Sequence, residues 1–91
     1  MWFIRLVKLK DPPSKESNAK MNEMRMEAEK WGVKFHNTFY TLGSYDIVNI
    51  FEAPDEKTAM RLSMAMAPWT RGAETLMAFS REEVDGWIQA M

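Results

Sequence analysis

The sequence predicts an α+β fold, with one antiparallel sheet carrying helices on a single face. Three observations lead there. Extended stretches rich in aromatic and β-branched residues alternate with stretches of helical spacing, in the order β-α-β-β-α-β with a further helix at the end. Gly43-Ser44 lies between two extended stretches, where a tight hairpin needs a residue free to take positive φ. The chain has 91 residues and 46% hydrophobic content, enough for one domain and not for two.

Taken in order, residues 2–9 read as the first strand, and Asp11-Pro12-Pro13-Ser14 stops it because proline cannot donate to a ladder. Residues 16–31 read as a helix. Met21, Met24, Ala28 and Trp31 fall on one face of it, and Lys20, Glu23, Glu27 and Lys30 on the other. Gly32 sits where a left-handed cap is wanted. Residues 33–42 and 45–53 read as the hairpin strands, and Asp55 after Pro54 is a good N-cap for a helix over 56–67. That helix carries a stripe of Ala59, Leu62, Ser63 and Met66, widened by Met60 and Met64, and Pro68 closes it. Residues 70–79 form a fourth strand. Ser80-Arg81-Glu82-Glu83 has the form of a capping box and opens a terminal helix over 81–90 with Val84, Trp87 and Ile88. This order is the split βαβ, ferredoxin-like arrangement, as one domain over 1–91 with 81–91 as its terminal helix.

Hairpin counting assigns the two sheet faces. With Gly43-Ser44 as a two-residue loop, Tyr40 meets Ile47, Thr38 meets Asn49 and His36 meets Phe51, and residues directly opposite share a face. Phe35, Asn37, Phe39, Val48 and Ile50, with Ile4 and Leu6 of the first strand, are then expected under the helices. His36, Thr38, Tyr40, Tyr45, Ile47, Asn49 and Phe51, with Phe3, Arg5, Val7 and Leu9, are expected on the other face. Two main helices cover one face of such a sheet, so the uncovered face holds too much apolar surface for a lone chain. A second copy packed sheet to sheet about a two-fold axis is the simplest cover, and it encloses a cavity.

Composition excludes several functions. Twelve Lys plus Arg against thirteen Asp plus Glu leave a net charge of −1, which argues against a nucleic-acid face or a polybasic membrane helix. Cysteine is absent, which removes disulfides, thiolate catalysis and cysteine metal sites, and a single histidine removes sites that need two from the same chain. Met1 to Lys10 is apolar at its start but broken by Arg5, Lys8 and Lys10, so neither a signal peptide nor a membrane span is expected. The expected setting is the cytoplasm. No spacing suited to a metal and no glycine loop suited to phosphate is present, and no cofactor is expected.

The segment Tyr40-Thr41-Leu42-Gly43-Ser44-Tyr45-Asp46 resembles the Gly-x-Tyr-Asp signature of the GYD family. Glu52-Ala53-Pro54-Asp55, Glu74-Thr75-Leu76-Met77-Ala78-Phe79 and Ser17-Asn18-Ala19-Lys20 are similar to its other motifs, so the resemblance spans roughly 17–80. It implies a dimeric α+β barrel, a fold that also serves cofactor-free monooxygenases, haem-handling enzymes and small-ligand regulatory domains. Two departures stand out. The loop from Asp11 to Glu16 is shorter than the family's glycine-bearing segment, and the terminal helix with Trp87 looks like an addition.

The residues themselves allow two uses of the cavity. As a binding site it is expected to use Arg5, His36, Tyr40, Tyr45, Asn49 and Glu74. As a catalytic site, of an oxygenase- or isomerase-like enzyme without cofactor, it makes His36 the base, the one side chain titrating near neutrality unperturbed. Axial ligation of haem is a lesser use of His36. Gly43, Tyr45 and Asp46 read first as structure: a turn residue, an aromatic at the dimer contact and an acceptor for backbone N–H groups. Arg5 needs a carboxylate if buried, and Glu74 on the neighbouring strand is the expected partner, with anion binding as the other reading. The functional expectation is a homo-oligomeric module binding a small molecule between copies. The alternatives are the enzyme just described and a purely structural assembly subunit.

Overall fold

A computed structural model describes all residues, 1–91. Strand β1 is Trp2–Leu9, helix α1 Lys15–Lys30, β2 Lys34–Tyr40, β3 Ile47–Glu52, α2 Glu56–Met66, β4 Thr70–Ala78 and α3 Arg81–Ala90, with a 3-10 turn over Ala67–Trp69. The four strands form one antiparallel sheet in the order β2-β3-β1-β4, the ferredoxin-like topology. No helix is long and apolar enough to cross a membrane.

The helix ends follow from local chemistry. Ser14 caps α1 by accepting the Ser17 N–H, Asp55 caps α2 by accepting the Thr58 N–H at 2.7 Å, and Ser80 caps α3 by accepting the Glu83 N–H. At the end of α1, the Gly32 N–H reaches the Glu29 carbonyl and the Val33 N–H reaches the Ala28 carbonyl, the two bonds of a Schellman cap. Gly32 takes φ +93°, and a Cβ there would stand 2.8 Å from the Pro54 ring, so only glycine fits.

The hairpin register is as expected at Tyr40–Ile47 and Thr38–Asn49, and Gly43 takes φ +112°. The strands stop at Tyr40 and Ile47, however, leaving Thr41–Asp46 as the loop, closed by the Thr41 N–H on the Asp46 carbonyl at 2.8 Å. Beyond Thr38 the expected count fails. A bulge at His36 makes Phe35, not His36, the partner of Phe51.

That bulge decides the core. It places Phe35 on the face of Phe51, and Phe51 stacks between Phe3 (centroids 5.5 Å apart) and Phe35 (6.0 Å). Ala28, Val33, Ala53, Ala59 and Leu62 complete the cluster. The expected assignment is therefore reversed for most positions, while Phe35 stays under the helices and His36 and Tyr45 stay on the open face, as expected. Phe3, Arg5, Val7, Thr38, Tyr40, Ile47, Asn49 and Phe51 lie on the helix side. Ile4, Leu6, Phe39, Val48 and Ile50, expected under the helices, lie on the open face, and so does Asn37. Both faces of β1 are equally apolar by sequence, so the strand does not correct the hairpin split, and Arg5, expected on the open face, is 3% exposed on the helix side. The helix stripes are as expected, with Ala28, Ala59 and Leu62 buried and Met21, Met24, Trp31 and Met66 half-buried. Met60 and Met64 do not widen the α2 stripe but face outward. Helix α3 buries no residue. Its Trp87 meets Phe79 edge to face at 5.2 Å and stays 53% exposed, so it covers no core edge.

Candidate functional site

The open face is built by strand alternation. Trp2, Ile4, Leu6 and Lys8 project from β1, Val48, Ile50 and Glu52 from β3, and Glu74, Leu76 and Ala78 from β4. On β2 the bulge lets His36 and Asn37 both face this side, with Phe39 beyond. The middle is an apolar floor of Ile4, Leu6, Val48, Ile50 and Leu76, and none of this chain's helices covers it.

Polar pairs stand at the two ends. At the Trp2 end, the His36 ring lies 4.5 Å from the Trp2 ring, and its Nε2 is 3.3 Å from the Glu52 carboxylate. That contact favours the proton on Nε2 and leaves Nδ1 as the nitrogen able to accept. At the Lys8 end, the Tyr45 hydroxyl donates to Glu74 Oε2 at 2.5 Å, and the Lys8 ammonium lies 5.5 Å from the centre of the Tyr45 ring. The ends are about 20 Å apart along β1. Asp46 holds the hairpin loop against β1, its carboxylate accepting the Leu9 N–H at 2.7 Å, which is the structural role expected of it.

The Glu74 bond holds the Tyr45 phenol above its ordinary value. Ionising Tyr45 breaks the hydrogen bond to Glu74, and desolvation and the nearby carboxylate charge act in the same direction. A pKa raised in the fold gives stability that is present below the unfolded value near 10.0 and is lost as pH rises through the folded one. In a Tyr40→Phe background, which leaves one phenol, Glu74→Gln is expected to bring the phenolate absorbance midpoint down toward the ordinary tyrosine value. An unchanged midpoint would mean that the two groups do not bond in solution.

Of the residues expected to line one cavity, the structure brings only His36, Tyr45 and Glu74 to the open face. Arg5, Tyr40 and Asn49 lie on the opposite side, under or beside the helices. The expected Arg5–Glu74 pair does not form: Glu74 stands across from Leu6, not from Arg5, and is bonded to Tyr45. Trp2, Lys8 and Glu52 belong to the site and were missed. Once the bulge is placed, Glu52 follows from its register with Trp2 and Lys34. No three His, Asp or Glu side chains converge as a metal site would need. A groove runs beside the loop after β1, between Asp11, Ser14, Ser17, Lys20 and Trp69, but Lys20 there is already paired with Glu16 at 3.5 Å.

A four-stranded sheet in ferredoxin-like order, with helices on one face and the other bare, defines a small α+β domain. The family model of the GYD domain matches residues 9–88, and the chain belongs to that family. The match runs through most of α3, so the terminal helix is no addition to the family's length. The fold is shared with the SCO4226 protein of Streptomyces coelicolor A3(2), at a TM-score of 0.54 and 10% identity, over 86% of this chain and 99% of that one. No curated protein matches the chain.

Proposed function

We propose that the protein is a homo-oligomeric module that binds a small organic molecule between the open faces of two copies. The observation that carries this reading is the apolar floor of Ile4, Leu6, Ile50 and Leu76, bare on its own chain and bounded by hydrogen-bonding pairs. Small-molecule sites are apolar clefts with a few polar groups, and an antiparallel pairing of two such faces would make the cleft and bring the His36 end of one copy toward the Tyr45 end of the other. Two such faces related by a two-fold axis supply the walls, and His36, Tyr45 and Glu74 supply orientation. Trp87 and Ile88 of α3 are also more than half exposed and offer further apolar surface to a partner.

Native mass spectrometry of protein purified from its own host tests this. The expected result is an even-numbered oligomer with an added non-covalent mass, lost on harsher activation. An oligomer without added mass moves the reading toward a structural assembly subunit, and a monomer ends both.

One observation favours a second reading, a catalytic site without cofactor. His36 has a carboxylate at 3.3 Å and an aromatic wall at 4.5 Å, the surroundings of a general base. Arg5, Tyr40 and Asn49 have no part in it, since they sit on the other side of the sheet.

A further inference from the structure

A row of polar residues crosses the helix side of the sheet, one from each strand. Thr38 of β2 pairs with Asn49 of β3, Asn49 with Arg5 of β1, and Arg5 with Thr75 of β4. The rows on either side are mainly apolar: Phe35, Phe51, Phe3 and Met77 on one, Tyr40, Ile47, Val7 and Ala73 on the other. Arg5 is the one charged residue buried in the molecule. Its Nε and Nη2 have no hydrogen-bond partner, and none of the chain's ion pairs includes it.

Such a charge demands an answer. A guanidinium does not give up its proton within proteins, so it cannot escape burial by neutralising itself. Left unpaired, it costs several kcal/mol in desolvation. The chain could have met that cost with a carboxylate, yet Glu74, on the adjacent strand, points to the opposite face. The two orphaned nitrogens are not scattered. Nε and Nη2 form one edge of the guanidinium and present two parallel N–H groups, the geometry that grips a planar carboxylate.

We propose that Arg5 anchors a second, buried site on the helix side of the sheet that takes a small organic monocarboxylate. Two grooves open beside this polar row, each reaching one cross-strand neighbour of Arg5 but not Arg5 itself, which lies one strand further in. The groove between α2 and β4 reaches Thr75 but carries the Glu56 carboxylate, which repels an anion. The groove between α1 and the hairpin reaches Asn49 and holds Asn18, Asn22 and Arg25, with no carboxylate in its lining. This second groove is the route. Met21, Phe35 and Met66 in its walls suit an apolar tail, and the unbranched methionines yield readily to a guest. Asn49 accepts the Thr38 hydroxyl at 2.8 Å through Oδ1, which leaves its amide N–H groups for the ligand. Arg25 is already paired with Glu29 at 3.8 Å, so Arg5 is the one guanidinium beside this groove without a carboxylate, and it balances a monoanion rather than a doubly charged phosphate. The site is separate from the open face and does not depend on the reading given above.

The test is a titration of wild-type protein with acetate, benzoate and inorganic phosphate at constant ionic strength, chloride being the reference salt. It is followed by the Arg5 Nε–H resonance and by Tm. Acetate or benzoate is expected to shift the resonance saturably and to raise Tm to a plateau. Arg5→Met is expected to lose the Tm response while remaining folded, and Arg5→Lys, which keeps charge but loses the fork, to weaken binding about tenfold or more. A response to phosphate alone overturns the carboxylate assignment. No response to any anion overturns the site. Should Arg5→Met fail to fold, the wild-type Nε–H titration decides the matter.

Discussion

Phe51→Ala is expected to cost about 3–5 kcal/mol, the largest loss from any single truncation in this protein. Phe51 is fully buried, and its ring is the one that joins the other two of the core. Phe3 comes to it from β1 and Phe35 from β2, so its removal opens a void between three strands and the helix layer. A domain of this size has roughly 5–14 kcal/mol to lose. The variant is therefore expected to sit near the edge of folding, with Tm lowered by some 15 °C or more. Urea unfolding followed by circular dichroism, at matched protein concentration, measures the difference. Val48→Ala, on the open face, is the control and should cost far less. A Phe51→Ala loss below about 1 kcal/mol would mean that the aromatic trio is not the core.

The same trio shows what the sequence carries about this fold and what it does not. Most signals confined to one turn of chain were legible: the Gly32 cap, Asp55 and Ser80 as N-caps, the positive φ of Gly43, and the central stripes of α1 and α2; the Ser14 cap and the outward turn of Met60 and Met64 were not. Element order followed from these, and with it the topology. The two faces of the sheet were not legible, for two physical reasons. β1 alternates large apolar groups on both sides, so hydrophobicity does not choose between Phe3-Val7 and Ile4-Leu6. The bulge at His36 leaves no mark in residue type, yet it brings Phe35 to the face of Phe51 and so breaks the count beyond Thr38, hiding which set of alternating residues is the core. A charge normally breaks such a tie, but Arg5 goes inward without a partner from the chain. The candidate site inherited the error in part. His36, Tyr45 and Glu74 were recognisable as polar groups among strands. That Glu74 takes Tyr45 rather than Arg5 depends on a contact between residues 29 apart, which no local pattern encodes.

In the proposed sheet-to-sheet assembly, Ile50→Glu is expected to leave a folded monomer. Ile50 lies in the middle of the open face, on β3 between Asn37 of β2 and Ile4 of β1. On its own chain the side chain is only half-buried, and a carboxylate there reaches water, so the fold itself loses little. In a sheet-to-sheet dimer the two-fold axis brings the same position of both copies into one dry layer, where two like charges are strongly destabilising. The open face has an area on the order of 400 Å², from strand spacing and length, at the upper end of what a monomer exposes. A stable partner contact buries about 800 Å² per chain, so the face is expected to act together with the apolar side of α3. Sedimentation of the variant and of a Trp87→Ala variant separates the two contributions. Ile50→Glu should abolish association, whereas Trp87→Ala should weaken it by about tenfold or more, as removal of an interface anchor does. An Ile50→Glu protein that sediments as the wild type does would place the contact elsewhere and leave His36, Tyr45 and Glu74 open to solvent.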